Sequence, residues 1–225
     1  MSSGDFVRVG DGKSRLVMLP GWGTDHRIFG ELDLPAGALL GRVPRPESVE
    51  HVLDACGPDG AVLLGWSLGG FWAAEAAARR PTAVGRLVLI GVRRSYPADA
   101  VDEMLQELNR DPAACLRDFY RRCFLPAQRA DYRRFRSGLM ESYLESPDVE
   151  RLRDGLRYLR DVELDEDGLP PVPTTLVHGT RDAVAPMDEA RSIAAAAPRA
   201  TFCPVEKAGH AAFLSPHFRI PMDDA

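Results

Sequence analysis

Ser67 stands at the centre of Gly65-Trp66-Ser67-Leu68-Gly69, a G-x-S-x-G pattern between the apolar run 61–65 and the alanine-rich stretch 68–80. A serine hydroxyl is a poor nucleophile until a neighbouring base takes its proton. A turn tight enough to lift that hydroxyl out of a strand and into a helix strains the serine backbone. It also leaves no room for side chains two residues before or after, which explains Gly65 and Gly69. The helix N-terminus behind the serine favours developing negative charge. An incidental hydroxyl in a glycine-rich packing turn stays open on this motif alone.

Of the five histidines, His26, His51, His178, His210 and His217, His210 is singled out as the base. It lies in "KAGHAAFLSP", past the last apolar run and after the small pair Ala208-Gly209. A base of this kind needs a carboxylate to orient its ring. Asp182 sits in the loop of "HGTRDAVAP", while Asp188 and Glu189 read as first-turn helix residues after Pro186. For Asp182 alone a turn-forming role is equally open, but the order Ser67, Asp182, His210 makes a joint coincidence improbable. Acyl transfer also requires donors for an oxyanion. The backbone N–H of Leu68 follows the nucleophile directly, and that of Trp22 lies in "PGWGTD", flanked by Gly21 and Gly23. The side chains of Trp22 and Trp66 either wall an acyl pocket or simply pack in the core.

These residues need a sheet edge to converge on. Residues 15–20, 61–65, 86–91, 174–179 and 200–205 read as buried strands, with weaker candidates at 6–9 and 38–43. Helical patterns over 47–55 and 68–80 alternate with them, which implies a parallel sheet covered on both faces. From Ser95 to Asp167 no strand signal occurs and four helices are expected, two of them opened by Asp111-Pro112 and Ser146-Pro147 as N-cap plus first-position proline. "GLPPVP" at 168–173 is a stiff connector back to the sheet. The organisation is therefore an α/β core of residues 1–94 and 168–225 with a helical insertion at 95–167. Little chain remains after "GHAAFLSPHF" for a closing amphipathic helix.

The 225 residues are 45% hydrophobic and 27% charged, ordinary for a globular protein. No signal-peptide pattern or membrane span is evident. The four cysteines lack metal-ligand or C-x-x-C spacing, so a cytoplasmic protein with free, mostly buried thiols is expected. The net charge of −5 is uneven: residues 110–136 hold eight arginines against three aspartates, so that window is +5 and the rest of the chain −10.

"LVMLPGWG", "LLGWSLGG", "HGTRDAVAP" and "KAGHAAFLSP" together resemble the α/β-hydrolase family of serine carboxylesterases, over nearly the whole chain. Within it, the paired "GWG" and "GWSLGG" and the "KAGHAAFLSP" segment are most similar to the pimeloyl-[acyl-carrier protein] methyl ester esterases. Pro20-Gly21 departs from the common His-Gly, and "GRVPRPESVEHV" replaces the usual D-x-P-G-x-G-x-S segment. The resemblance implies an α/β-hydrolase fold with an inserted helical lid, Ser67, Asp182 and His210 as the triad, and the Trp22 and Leu68 N–H groups as the oxyanion hole. It implies no metal or organic cofactor.

In such a family the arginine-rich insertion lies over the active site. Arg117 and Arg121 share one helix face, and so do Arg129, Arg133 and Arg136. Arg122 has Asp118 at i−4 and Arg134 has Asp131 at i−3, so these two are expected to be partly compensated. An unpaired basic face on an acidic protein suits an acidic partner such as acyl carrier protein, with a solvated lid surface as the alternative. Nucleic acid fits poorly with the net negative charge, and a monomer is expected. Other readings are a short-chain carboxylesterase or thioesterase without a carrier, and a slow ligand-binding protein on the same fold. Serine at the elbow disfavours dehalogenase or epoxide hydrolase chemistry.

Overall fold

The computed structural model describes residues 4–42, 46–57, 59–164 and 169–222. Seven strands form one sheet: β1 (Phe6–Arg8), β2 (Leu16–Leu19), β3 (Leu39–Gly41), β4 (Ala61–Trp66), β5 (Val84–Ile90), β6 (Thr174–Gly179) and β7 (Ala200–Val205). Their spatial order is β1-β3-β2-β4-β5-β6-β7. All pairings are parallel except β1 against β3. Every residue of β2, β4 and β6 is buried, as expected for strands covered on both faces. Edge strand β7 alternates toward solvent instead.

The weak strand candidates are real but shorter than expected, and Val43, the far end of one of them, lies outside the described residues. Helix α1 (Pro46–Leu53) precedes β4, and α2 (Leu68–Arg79) follows it, packing on β2, β4 and β5. Alanines on α2 let it approach the sheet closely, and the helix stops before Pro81, which cannot continue it. Of the four cysteines, Cys56, Cys115 and Cys123 are buried and Cys203 is exposed; all are free.

Between β5 and β6 lie α3 (Ala98–Arg110), α4 (Pro112–Phe124), α5 (Arg129–Phe135), α6 (Glu141–Leu144) and α7 (Val149–Asp161). A π-helical turn at Arg136–Met140 joins α5 to α6, so the four expected helices appear with the third split by a bulge. Asp111 caps α4 as read, its carboxylate accepting from the Ala114 N–H at 3.0 Å. The other cap is corrected. Asp148, not Ser146, receives the Arg151 N–H at 3.1 Å, and Pro147 lies outside the helix. The 167/168 boundary with the connector lies outside the described residues. Helix α8 (Met187–Ala196) packs on β6 and β7, and after the short 3-10 turn Ala212–Leu214 no helix follows among the described residues. No helix among them is long and apolar enough to cross a membrane.

Candidate active site

Ser67 takes φ 53°, ψ −120° as β4 turns into α2, a left-handed backbone that a side-chain-bearing residue adopts only under constraint. The constraint is visible. A Cβ on Gly65 would stand 2.2 Å from the Gly69 carbonyl oxygen, and one on Gly69 would stand 2.5 Å from that of Leu19. Only glycine at both positions lets strand, turn and helix close on one another.

Strands β6 and β7 deliver the other two groups to the same edge. The Asp182 carboxylate follows β6. Its Oδ1 accepts the Val184 and Ala185 N–H groups at 2.8 and 2.9 Å, the turn-forming role read from the sequence. Its Oδ2 lies 2.8 Å from His210 Nδ1, both side chains fully buried. Turn formation and orientation of the histidine are thus carried by different oxygens of one carboxylate. With a carboxylate as acceptor, Nδ1 carries the proton and Nε2 the lone pair. Burial pushes the Asp182 carboxyl up, but His210, His178 and the turn amides outweigh it and hold it below the ordinary value.

The loop carrying His210 is pinned from several sides. Its N–H donates to Cys123 O at 2.9 Å, its carbonyl accepts Trp66 Nε1 at 2.9 Å, and Gln128 bonds both Gly209 N–H and Ala211 O. The loop also closes on Gly179, where a Cβ would meet Gly209 O at 2.1 Å and Ala208 O at 2.5 Å. Gly179→Ala is expected to destabilise by about 3 kcal/mol, because backbone cannot yield as a side-chain tip does. That lowers Tm by roughly 6–12 °C in a thermal melt; an unchanged Tm contradicts this packing.

A cavity of about 190 Å³ opens onto Ser67, walled by Trp22, Met104, Phe119 and Leu156 among others. Trp22 is held there by Nε1 donating to Leu152 O at 2.8 Å and by an edge-on contact with Phe119, centroids 4.9 Å apart. Trp66 is corrected: it does not line this cavity. As the last residue of β4 it packs on Phe213 and His210, 5.0 and 5.6 Å between centroids. The N–H groups of Trp22 and Leu68 make no hydrogen bond among the described residues. The Trp22 loop is fixed by Thr24 Oγ1 donating to Gly21 O at 2.9 Å and by Gly23 at φ 73°. A larger cleft of about 950 Å³, bordered by Arg129, Lys207 and Phe213, contains none of these reacting groups.

Three neighbours had no signal in the sequence. Tyr96 lines the same cavity as Ser67, while His210 Nε2 is buried without a partner among the described residues. Serine and histidine therefore share the site without being joined in this state. His178 is also fully buried, its Nε2–H donating to Ala185 O at 3.0 Å and lying 3.4 Å from Asp182 Oδ2. Burial lowers the His178 pKa, so that ring is neutral around pH 7. Its spacing of four from Asp182 was legible, its contact was not. Gln128 reaches the His210 loop from the helical insertion, which no spacing rule connects to it.

The arginines separate into two sets. Arg117, Arg121, Arg129, Arg133 and Arg136 are exposed. Arg134 is paired with Asp131, as expected, and also with Glu31 at 3.0 Å. The expected compensation of Arg122 by Asp118 does not form: among the described residues Arg122 makes no ion pair, and it is a lining residue of the Ser67 cavity.

Known proteins are similar to this chain over most of its length. A family model described as "Alpha/beta hydrolase family" matches residues 16–219. The pimeloyl-[acyl-carrier protein] methyl ester esterase of Aromatoleum aromaticum is 34% identical, over 89% of this chain and 92% of the relative. The protein of the same name from Pectobacterium atrosepticum is 28% identical, over 92% and 91%. An esterase from Exiguobacterium antarcticum superposes with a TM-score of 0.76 at 20% identity, covering 93% of this chain and 89% of that one, which supports the fold. The chain belongs to the alpha/beta hydrolase family, among its carboxylic ester hydrolases.

Proposed function

We propose that this enzyme cleaves the methyl ester of pimeloyl-[acyl-carrier protein], in the cytoplasm and as a monomer, with neither nucleic acid nor membrane as partner. The observation that carries the chemistry is the 2.8 Å contact between Asp182 and His210 beside the elbow of Ser67. The substrate is taken from the relatives named above. Ser67 turns toward His210 Nε2 and attacks the ester carbonyl as that nitrogen takes its proton. The new oxyanion receives the N–H groups of Trp22 and Leu68. His210 returns the proton to the departing methoxide, releasing methanol and leaving an acyl-serine. Water, deprotonated by the same nitrogen, then releases the carboxylic acid and restores Ser67. Asp182 keeps Nδ1 protonated throughout and stabilises the imidazolium.

Residues 95–167 act as the lid over a core of 1–94 and 168–225, and Arg117, Arg121, Arg129, Arg133 and Arg136 form its docking face for the acidic carrier protein. Their exposure and lack of ion pairs among the described residues support this reading. The test is turnover of the carrier-bound methyl ester beside a panel of p-nitrophenyl esters. Reversing Arg117, Arg121, Arg129 and Arg133 to glutamate is expected to lower kcat/KM on the carrier-bound ester about 100-fold at low salt, with the loss shrinking as salt rises. Small-ester turnover should be unchanged. Equal losses on both substrates, or none, favour an esterase or thioesterase that uses no carrier.

A further inference from the structure

The Ser67 cavity has apolar walls and two arginines among its lining residues, Arg93 and Arg122. They differ in one respect. Arg93 is spoken for: its Nη2 lies 2.7 Å from Glu189 Oε1, and its guanidinium sits 5.2 Å from the Tyr96 ring centroid. Glu189 also accepts the Arg94 N–H at 3.0 Å, which fixes it to that task. Arg122 has an acid one helical turn away, Asp118, and does not pair with it. A cation left uncompensated at the wall of an apolar cavity attracts an anion there, and the planar guanidinium suits a carboxylate held by two hydrogen bonds.

We propose that Arg122 is a specificity-determining residue that gives the Ser67 cavity a carboxylate subsite. The ligand class is the half-ester of a dicarboxylic acid. Its ester carbonyl meets Ser67, its methylene chain lies along Val101, Met104, Phe119 and Leu156, and its free carboxylate pairs with Arg122. The enzyme thereby hydrolyses carrier-free half-esters as a second substrate class. Water adds, the alcohol leaves, and the product is a dicarboxylate. This rests on Ser67 acting as the nucleophile but not on a carrier protein.

The test compares methyl hydrogen adipate with methyl hexanoate, chains of equal length that differ in the far carboxylate, on the wild type and on Arg122→Gln and Arg122→Lys. Because Arg122 is exposed on one side, its pair with the substrate is partly screened, and Arg122→Gln is expected to raise KM for methyl hydrogen adipate about five-fold. The ratio of KM for methyl hydrogen adipate to KM for methyl hexanoate should therefore rise about five-fold in Arg122→Gln, and Arg122→Lys should recover part of that change. Calorimetry with adipate, the product, reads the same subsite without turnover, with about five-fold weaker binding expected in Arg122→Gln. Equal changes for both esters, or unchanged adipate binding, overturn the proposal. If the wild type turns over neither ester, the nucleophile assignment fails, and adipate binding still decides for or against Arg122.

Discussion

Ser67→Ala is expected to lower kcat on any ester by about a million-fold, leaving only what the oxyanion donors and binding alone supply. The substitution removes a single oxygen. The elbow is held by Gly65 and Gly69 and by the Ser67 N–H bonded to Ile90 O at 2.8 Å, so the backbone should persist. A Tm within a few degrees of wild type therefore separates loss of chemistry from loss of fold. The accompanying measurement is labelling by a fluorophosphonate, which should modify the wild type stoichiometrically and the variant not at all. A wild type that shows neither labelling nor a burst with an activated ester would be a ligand-binding protein on a hydrolase fold, and the enzymatic mechanism would be wrong.

Asp182→Asn is expected to lower kcat by about 10,000-fold, a larger penalty than its near-isosteric shape suggests. The carboxylate presents oxygen to three kinds of donor: the Val184 and Ala185 N–H groups, His210 Nδ1–H, and His178 Nε2–H. An amide has one oxygen. Turned toward the amides, it offers its NH2 to His210, which must move its proton from Nδ1 to Nε2 and so loses the lone pair that serves as base. Turned toward His210, it sets NH2 against two backbone donors and breaks the loop that places it. Both outcomes remove the base, one by tautomer and one by geometry. The pH–rate profile at acyl transfer distinguishes this from a folding defect: residual activity should rise toward alkaline pH, where the serine needs less help, while the Tm changes little. A fall of less than ten-fold would mean that another carboxylate orients His210. Glu189, the nearby candidate, is engaged with Arg93 and the Arg94 N–H.

Local rules reached far in this chain. Continuous apolar runs bounded by Gly and Pro located the strands because a parallel sheet buried on both faces has no polar alternation to hide. The G-x-S-x-G spacing located the elbow because one clash it avoids is local, Gly65 against Gly69 four residues on, although the other, Gly69 against Leu19, is not. Asp111-Pro112 marked a helix start by a bond that spans three residues. Ser146-Pro147 misled for a reason equally local: Asp148, two residues on, is also a good cap, and α7 uses it.

What the sequence by itself determined, then, is the sheet, the elbow and the order of its three candidate reacting residues, since these depend on neighbours along the chain. Only the tertiary structure decided what surrounds them. It placed Tyr96 in the cavity of Ser67, His178 on Asp182 and Gln128 on the His210 loop. It left Trp66 out of the cavity lining and put Arg122 in it, unpaired with the i−4 aspartate that should have claimed it. The physical reason is common to all of these. A side chain's partner is chosen by whatever packs against it after folding, and a helical insertion laid across a sheet edge brings together residues that no periodicity along the chain relates.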